Sequence, residues 1–234
     1  MHWAFHEKIQ TSKRIILEDS EAHHVLHVLR MKPGDVLVLF DGMGCSVEAT
    51  ICAVTRREVT CEISGILKTA ETSVPGVRVA AAPPKADRLR WMVEKLTELG
   101  VTEYVPLQTE RTIVTPGETR LDKLRATVVS ACKQCGRSSL MNVRELCSLD
   151  NLLLQEPETP IVVAHPGEAA SWESIRNHVC SDVLLLIGPE GGFTPTEIQL
   201  LQARQARTIA WPDTILRTET AAITFAAVLI HRLT

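Results

Sequence analysis

The sequence lacks any apolar run long enough to cross a membrane. Its longest uninterrupted apolar stretches, such as Val183 to Ile187 and Phe225 to Ile230, fall far below the roughly 18 residues that a membrane-spanning helix needs. The opening residues, MHWAFHEKIQTSKR, place charged side chains where a secretory signal needs an apolar core, and they carry no pattern that predicts a particular strand. We therefore expect no membrane span and a cytoplasmic location.

Cysteine is sparse, and no charge of one sign dominates. The seven cysteines are an odd number without dense spacing in a chain of 234 residues, which argues against a disulfide framework. The net charge of −3 favours neither a membrane surface nor nucleic acid as a partner. One segment departs from this balance, because residues 120–144 hold six basic side chains and a single acid, Asp122. That segment is suited to face phosphates.

Two short patterns resemble metal or redox motifs, and each has a plainer interpretation. His23, His24 and His27 include an i, i+4 pair, but no HExxH motif and no third ligand accompany it, which favours a polar helix face. Cys132 and Cys135 form a CxxC without a second CxxC, and both continue the apolar series of one helix face. We expect structural roles for these residues and no metal ion.

The first seventy residues have the pattern of a small β-barrel. A short helix, capped by Asp19 or Ser20 and ended by Pro33-Gly34, precedes closely spaced runs rich in Val and Ile. Strands are predicted at 36–42, 45–54 and 58–67. The polar segment that ends in Pro75 and Gly76 is typical of a linker. The predicted organisation is a barrel domain at 1–70, a linker at 71–76 and a second domain at 77–234.

After Gly76 strands alternate with helices, which predicts an α/β domain whose sheet is covered on both faces. VRVAAAPP (77–84) is predicted as a strand that runs into a loop, and further strands are predicted at 104–107, 161–164, 183–187 and 208–211. Helices are predicted at 89–99, where Gly100 provides the C-terminal cap, and at 121–135, 170–178, 195–205 and 219–232.

The strongest local signal is VLLLIGPEGGFTPTEI (183–198), where an apolar strand ends in glycines and passes directly into a helix. Thr194 and Glu197 form a predicted capping box, with Pro195 at the first helical position. The glycines allow the backbone to approach a ligand closely. Neither a phosphate-binding P-loop nor a GxGxxG spacing is present, so the segment predicts a small ligand at a strand end, with a plain tight turn as the alternative.

A second segment, PDTILRTETAAITFAAVLIHRL (212–233), places Arg217 and Glu219 at the start of an apolar helix. Together with IGPEGGFTPTEI, the stretch ILRTETAAI resembles the C-terminal signature of the SPOUT methyltransferases, and specifically of the RsmE family. IGPEGG and LRTET are highly specific as a pair, whereas either alone is weak.

The resemblance covers nearly the whole chain in the family's order. HHVLHVLRMKPGD (23–35) with LFDG (39–42) resembles the family's PUA-like N-terminal RNA-binding domain. RWMVEKLTELGV (90–101) resembles its first catalytic-domain helix, and ERTIV (110–114) and KQCGRSS (133–139) resemble its central segments.

This resemblance implies an α/β fold in which a SPOUT trefoil-knot methyltransferase domain follows a small PUA-like β-barrel domain. It implies a homodimeric enzyme that uses S-adenosylmethionine (SAM), without a metal, to methylate N3 of a uridine in small-subunit (16S) ribosomal RNA. The cofactor contacts carried over from the family are His165, Leu186, Gly188, Gly192, Ile215, Leu216, Thr218 and Ala221.

The chemistry of that reaction suits three further residues. The N3–H of uracil is a weak acid, so its methylation requires loss of the proton and stabilisation of charge on the ring oxygens. We expect Arg217 to donate hydrogen bonds to these oxygens or to a neighbouring phosphate. Glu219 or Glu190 would orient Arg217 or accept the proton, and the sequence does not distinguish them. Expected RNA contacts are Arg30, Lys85, Arg88 and Arg137, each with a solvated or ion-paired surface charge as its alternative.

Two other functions remain open at this point. One is a SPOUT RNA methyltransferase with another target, such as a ribose 2′-oxygen or a transfer RNA base. The other is a non-catalytic RNA-binding or assembly protein of the same fold, although the intact glycines and Arg217 argue against it.

Overall fold

The computed structural model describes residues 1–9, 13–68, 76–114, 118–166, 169–170, 172–179 and 182–233. The chain divides into two compact units, one comprising Met1–Thr72 with Val129–Leu140 and the other Ser73–Val128 with Met141–Thr234. Apart from Gly76, the predicted linker lies outside the described residues, and the predicted domain boundaries stay a prediction. Within the described ranges, no helix is both long and apolar enough to span a bilayer.

The first unit is built on a five-stranded sheet. Its strands are β1 (His2–Phe5), β2 (Arg14–Leu17), β3 (Val36–Phe40), β4 (Ser46–Val54) and β5 (Val59–Lys68), in the spatial order β1-β3-β4-β5-β2. β1 and β3 are parallel and the other neighbours are antiparallel. The three predicted strands are present with ends shifted by one or two residues. β1 and β2 were not predicted, since strands of four residues are too short to show a clear period.

The predicted short helix lies between β2 and β3. It begins as α1 (Asp19–His23) and continues as a π-helical turn, His24–Val28. The predicted caps are wrong, because Glu18 occupies the N-cap position and its side chain makes no capping hydrogen bond. Instead, the carboxylate of Glu21 accepts one hydrogen bond from the backbone N–H of Phe5, at 3.0 Å, and another from Lys133 Nζ, at 2.7 Å. This pair of contacts fixes α1 within the first unit.

The second unit contains an all-parallel sheet. Its strands are β6 (Val77–Ala81), β7 (Glu103–Gln108), β8 (Asn142–Val143), β9 (Cys147–Ser148), β10 (Ile161–Ala164), β11 (Val183–Ile187) and β12 (Arg207–Ile209). Their order is β12-β10-β11-β6-β7-β8, and β9 also pairs with β7. Parallel strands are covered on both faces, which explains why every residue of β11 is buried.

Six helices belong wholly or partly to this unit. They are α2 (Ala86–Leu99), α3 (Glu118–Cys135), α4 (Leu149–Gln155), α5 (Trp172–His178), α6 (Pro195–Ala203) and α7 (Thr218–Leu233). The sequence missed α4 and the two-residue strands β8 and β9. The division between units falls within α3, whose residues from Val129 onward belong to the first unit.

The predicted helix ends are confirmed at two places. Gly100 ends α2 in a left-handed conformation, with φ of +95°, and its N–H is bonded to the last turn. At the start of α6, Thr194 Oγ1 accepts from the N–H of Glu197 and the Glu197 carboxylate accepts from the N–H of Thr194. The path of the chain from β11 into α6 is therefore fixed by local hydrogen bonds.

A nearly buried ion-pair network joins β6, β7 and the end of α4. The guanidinium of Arg78 lies 2.7 Å from Glu103 Oε1 and 2.5 Å from Glu156 Oε1, and the three side chains are 13–16% exposed. The hydrogen bonds from Arg78 hold the pKa of Glu156 below its usual range. Arg144 NH1 also lies near both carboxylates, at 3.6 and 3.7 Å, but the shorter contacts make Arg78 their main ionic partner.

We predict that Arg78→Ala lowers the free energy of unfolding by about 3–5 kcal/mol at pH 7, because it leaves two partly buried carboxylates without their main partner. Since the folded-state pKa of Glu156 is lowered, this contribution is full above the unfolded-state pKa and is lost as pH falls through the folded-state pKa. Urea denaturation between pH 7 and pH 3 measures the difference, which should shrink in acid.

Arg125→Ala is the matched control for this prediction. Its pair with Asp122 is exposed, so its loss should cost less than about 1 kcal/mol. Equal losses for the two variants, or a difference that does not vary with pH, would contradict the assignment.

Candidate active site

A cavity of about 710 Å³ opens at the carboxyl ends of three neighbouring strands, β12, β10 and β11. It is lined by the residue that follows each strand: His165 after β10, Gly188 after β11 and Ala210 after β12. Parallel strands bring their carboxyl ends to the same edge of a sheet, where α/β proteins commonly bind ligands. The structure thus places a cavity at the strand end where the sequence predicts a ligand.

The two signature segments meet at this cavity. The β11–α6 loop and the β12–α7 loop both line it, and the hydroxyl of Thr218 donates a hydrogen bond to the carbonyl oxygen of Gly188, at 3.2 Å. Thr218 is the first residue of α7. One direct bond therefore closes the two loops around a common space.

Glycine is required in the first loop for two different reasons. Gly192 has φ of +68°, a left-handed conformation that side chains disfavour. At Gly188 a Cβ would lie 3.1 Å from Cε2 of Phe193, which also lines the cavity. A side chain at either position would strain the loop or displace a cavity wall.

Arg111 is a cavity residue that the sequence analysis did not single out. Its NH1 donates to the carbonyl oxygen of Gly191 at 2.7 Å, and the neighbouring N–H of Glu110 donates to Glu197 Oε1 at 2.9 Å. The loop after β7 thereby supports the β11–α6 loop. The sequence feature that could have indicated Arg111 is ERTIV (110–114), which resembles a central segment of the family but predicts no role for this residue.

Most of the predicted cofactor contacts lie together. Seven of the eight line the cavity: His165, Gly188, Gly192, Ile215, Leu216, Thr218 and Ala221. Leu186 differs, because it is fully buried in the apolar core and its neighbour Ile187 lines the cavity instead. The role of each residue toward a cofactor stays a prediction.

The predicted catalytic residues occupy different surroundings. Arg217 is exposed and lines the cavity, and no side chain among the described residues pairs with its guanidinium. Glu190 lines the cavity and is 65% exposed, whereas Glu219 is only 6% exposed and does not line it. Both carboxylates pair with Arg88, at 3.4 and 3.2 Å. The expected contact between either carboxylate and Arg217 is therefore not present in this structure.

The predicted RNA contacts are divided between the two units. Arg30 is exposed in the first unit, with φ of +55° just after the π-helical turn, and Lys85 is exposed at the N-cap of α2. Arg137 is half-buried in the first unit, where its Nε donates to Ser139 Oγ at 3.3 Å and burial lowers its pKa. Arg88 forms ion pairs with Glu190 and Glu219.

Three of the six basic side chains in the segment 120–144 pair with carboxylates of the protein. Lys133 pairs with Glu21, Arg125 with Asp122, and Arg144 with Glu103 and Glu156. Half of its basic side chains are thus compensated within the protein, and the local charge excess in the sequence overstates what an RNA would meet.

The two CxxC cysteines differ: Cys132 lies in the core as predicted, whereas the prediction that Cys135 continues the same apolar face is wrong. Cys132 is fully buried, and burial raises its pKa to about 11, which disfavours the thiolate. Cys135 is exposed. The rings of His23 and His27 lie 4.9 Å apart, and in the described ranges no group of three potential ligands is arranged to hold a metal.

Comparisons with known proteins agree with this architecture. A family model described as an RNA methyltransferase domain matches residues 71–230, and one described as an RNA methyltransferase PUA domain matches residues 17–64. Ribosomal RNA small subunit methyltransferase E of Bacillus subtilis (strain 168) is 27% identical over 227 residues, which cover 92% of this chain and 89% of that protein.

Two solved structures are also similar to the whole chain. Ribosomal RNA small subunit methyltransferase E from Neisseria gonorrhoeae, bound to S-adenosyl methionine, has a TM-score of 0.90 and 28% identity and covers 98% of this chain and 96% of its own. A Legionella pneumophila protein, in complex with the bound cofactor SAM, has a TM-score of 0.85 and 31% identity and covers 97% of this chain and 95% of its own.

The RNA methyltransferase model matches more than half of the chain, and relatives named ribosomal RNA small subunit methyltransferase E match almost all of it. The chain therefore belongs to the RNA methyltransferase family, and its resemblance to ribosomal RNA small subunit methyltransferase E is confirmed.

Proposed function

We propose that this protein uses SAM to methylate N3 of a uridine in the 16S RNA of the small ribosomal subunit. The observation that carries the proposal is the single cavity that the two signature loops share, with Arg217 at its edge. The relatives' printed names supply the substrate class, and the SAM-bound structures of similar chains supply the cofactor. The resemblance to the RsmE family supplies the uridine N3 target.

The size and lining of the cavity support a small-molecule ligand such as SAM. Its volume of about 710 Å³ falls in the range of small-molecule sites, and Ile187 and Phe225 give it apolar walls. Gly188, Gly191 and Gly192 line the cavity without side chains, which allows a ligand to approach the backbone closely. We assign the seven cavity-lining cofactor contacts named above to this role, with Leu186 supporting the wall from the core. When bound, SAM supplies a methyl group on a positively charged sulfur.

Arg217 is the group best placed to stabilise the uracil. Arg217 lines the cavity and its guanidinium has no partner among the described residues, so its donors are available to a ligand. A planar guanidinium can hydrogen-bond two acceptors at once, which suits a ring oxygen that gains charge as the N3 proton leaves. Preorganised donors of this kind contribute most where they face developing charge.

The two carboxylates have different proposed roles. Glu190 lines the cavity and is the carboxylate placed to accept the N3 proton, either directly or through water. Glu219 is buried outside the cavity lining and holds Arg88.

RNA recognition is assigned to both units. The first unit contains the PUA match, with Arg30 and Arg137 as its proposed RNA contacts, and Lys85 is the proposed contact in the second. We further propose that the first unit is a closed PUA-like barrel spanning 1–70, that the loops of the domain at 77–234 form a trefoil knot, and that the enzyme is a cytoplasmic homodimer. The parallel sheet and the family match support the knotted domain.

The proposed function is tested by incubating the protein with labelled SAM and small ribosomal subunits that lack the modification. Digestion and mass spectrometry of the nucleosides should find 3-methyluridine in 16S RNA. A methylated ribose or a labelled transfer RNA base would instead support another SPOUT activity. Absence of both SAM binding and label would support the non-catalytic alternative.

We predict that Arg217→Ala lowers the methylation rate by about 100-fold or more, because it removes the main donor to the charged uracil. Calorimetry should show that SAM still binds with an affinity close to that of the wild type. Arg217→Lys keeps the charge without the planar fork and should fall between the two. If Arg217→Ala abolishes both methylation and SAM binding, or leaves both unchanged, Arg217 does not have this role.

A further inference from the structure

Arg88 lies where three parts of the second unit meet. It belongs to the first turn of α2, which packs against α7. Its NH1 donates to Glu219 Oε1 in the first turn of α7, at 3.2 Å, and to Glu190 Oε1 in the β11–α6 loop, at 3.4 Å. One guanidinium therefore connects α2 with both segments that form the cavity.

The contact with Glu219 is the more consequential one. The Glu219 side chain is 6% exposed, and its second carboxylate oxygen, Oε2, is buried without a hydrogen-bond partner. Among the residues that the structure describes, Arg88 is the only cation that pairs with this carboxylate. A buried carboxylate that loses its counter-charge is strongly destabilised, so the position of Glu219 depends on Arg88.

Glu219 in turn determines the geometry at the cavity. It directly follows Thr218, whose hydroxyl holds the Gly188 carbonyl, and it lies two residues after Arg217. A shift of Glu219 would therefore move the first turn of α7 and with it Arg217, which lines the cavity. Glu190 lies two residues after Gly188, so its contact with Arg88 restrains the opposite loop as well.

The same surroundings argue against an RNA contact for Arg88. Two carboxylates within 3.4 Å exceed the single positive charge of the guanidinium, and a phosphate approaching Arg88 would meet net negative charge. This differs from Arg30 and Lys85, which are exposed.

We propose that Arg88 is a positioning residue for methyl transfer, which acts through Glu219 to set the first turn of α7 and hence Arg217, and which does not bind RNA. The proposal rests on the proposed function, because its main readout is the methylation rate.

The test is a double-mutant cycle of Arg88→Ala and Glu219→Gln, with Arg90→Ala as a control for loss of a positive charge on α2. Arg88→Ala should lower kcat by about tenfold with the KM for ribosomal subunits within about twofold of wild type, since the two sites are coupled. Its Tm should fall by about 5 °C or more. In the Glu219→Gln background the same change should have a much smaller effect on kcat and Tm, because the neutral amide needs no counter-charge and only the longer contact with the exposed Glu190 is lost. Arg90→Ala should leave both kcat and Tm close to their wild-type values.

Three results would overturn the proposal. A higher KM with a weaker dependence on salt, unaffected by Glu219→Gln, would make Arg88 an RNA contact. A lower Tm with an unchanged kcat would make its role structural only. A wild-type protein that binds SAM but methylates no RNA would refute the proposed function and this inference with it, whereas an active wild type with an additive cycle would refute the inference alone.

Discussion

The hydrogen bond between the Thr218 hydroxyl and the Gly188 carbonyl holds together two segments that are distant in the chain. It can form only because β10, β11 and β12 are parallel neighbours, so that the loops following β11 and β12 leave the sheet at one edge. Each loop alone is a short connection between a strand and a helix. Together they enclose a cavity large enough for a nucleoside-containing cofactor.

The arginine side chains near this cavity differ in whether the protein already supplies their hydrogen-bond partners. Arg111 is committed to the Gly191 carbonyl and Arg88 to two carboxylates, whereas the guanidinium of Arg217 has no partner among the described residues. An arginine without an internal partner beside a cavity has donors available for substrate. The surrounding ion pairs keep the loops in place, and in the proposed reaction Arg217 provides the stabilisation of charge.

The sequence predicted the parts of this arrangement that depend on local pattern. The apolar run of β11, the capping box at Thr194 and the left-handed cap at Gly100 are each determined by residues close in the chain, and the structure contains them. The two loops at the cavity were predicted because the motifs IGPEGG and LRTET occur together in the sequence. Two-residue strands such as β8 carry too few residues for any period to appear.

Local sequence patterns could not predict contacts between residues that are distant in the chain. Arg88 had the features of an exposed helix charge, and only the fold places it within 3.4 Å of Glu190 and Glu219. Because every residue of β11 is buried, its sequence could not indicate that Ile187, rather than Leu186, lines the cavity. Likewise, the regular spacing of α3 gave no sign that its residues from Val129 onward pack within the first unit.

Amide hydrogen exchange with and without SAM measures most directly whether both loops form one binding site for SAM. We expect SAM to slow exchange at 188–194 and at 210–218 together, with the same dependence on SAM concentration. Protection of only one loop, or two loops protected at different concentrations, would contradict a shared site.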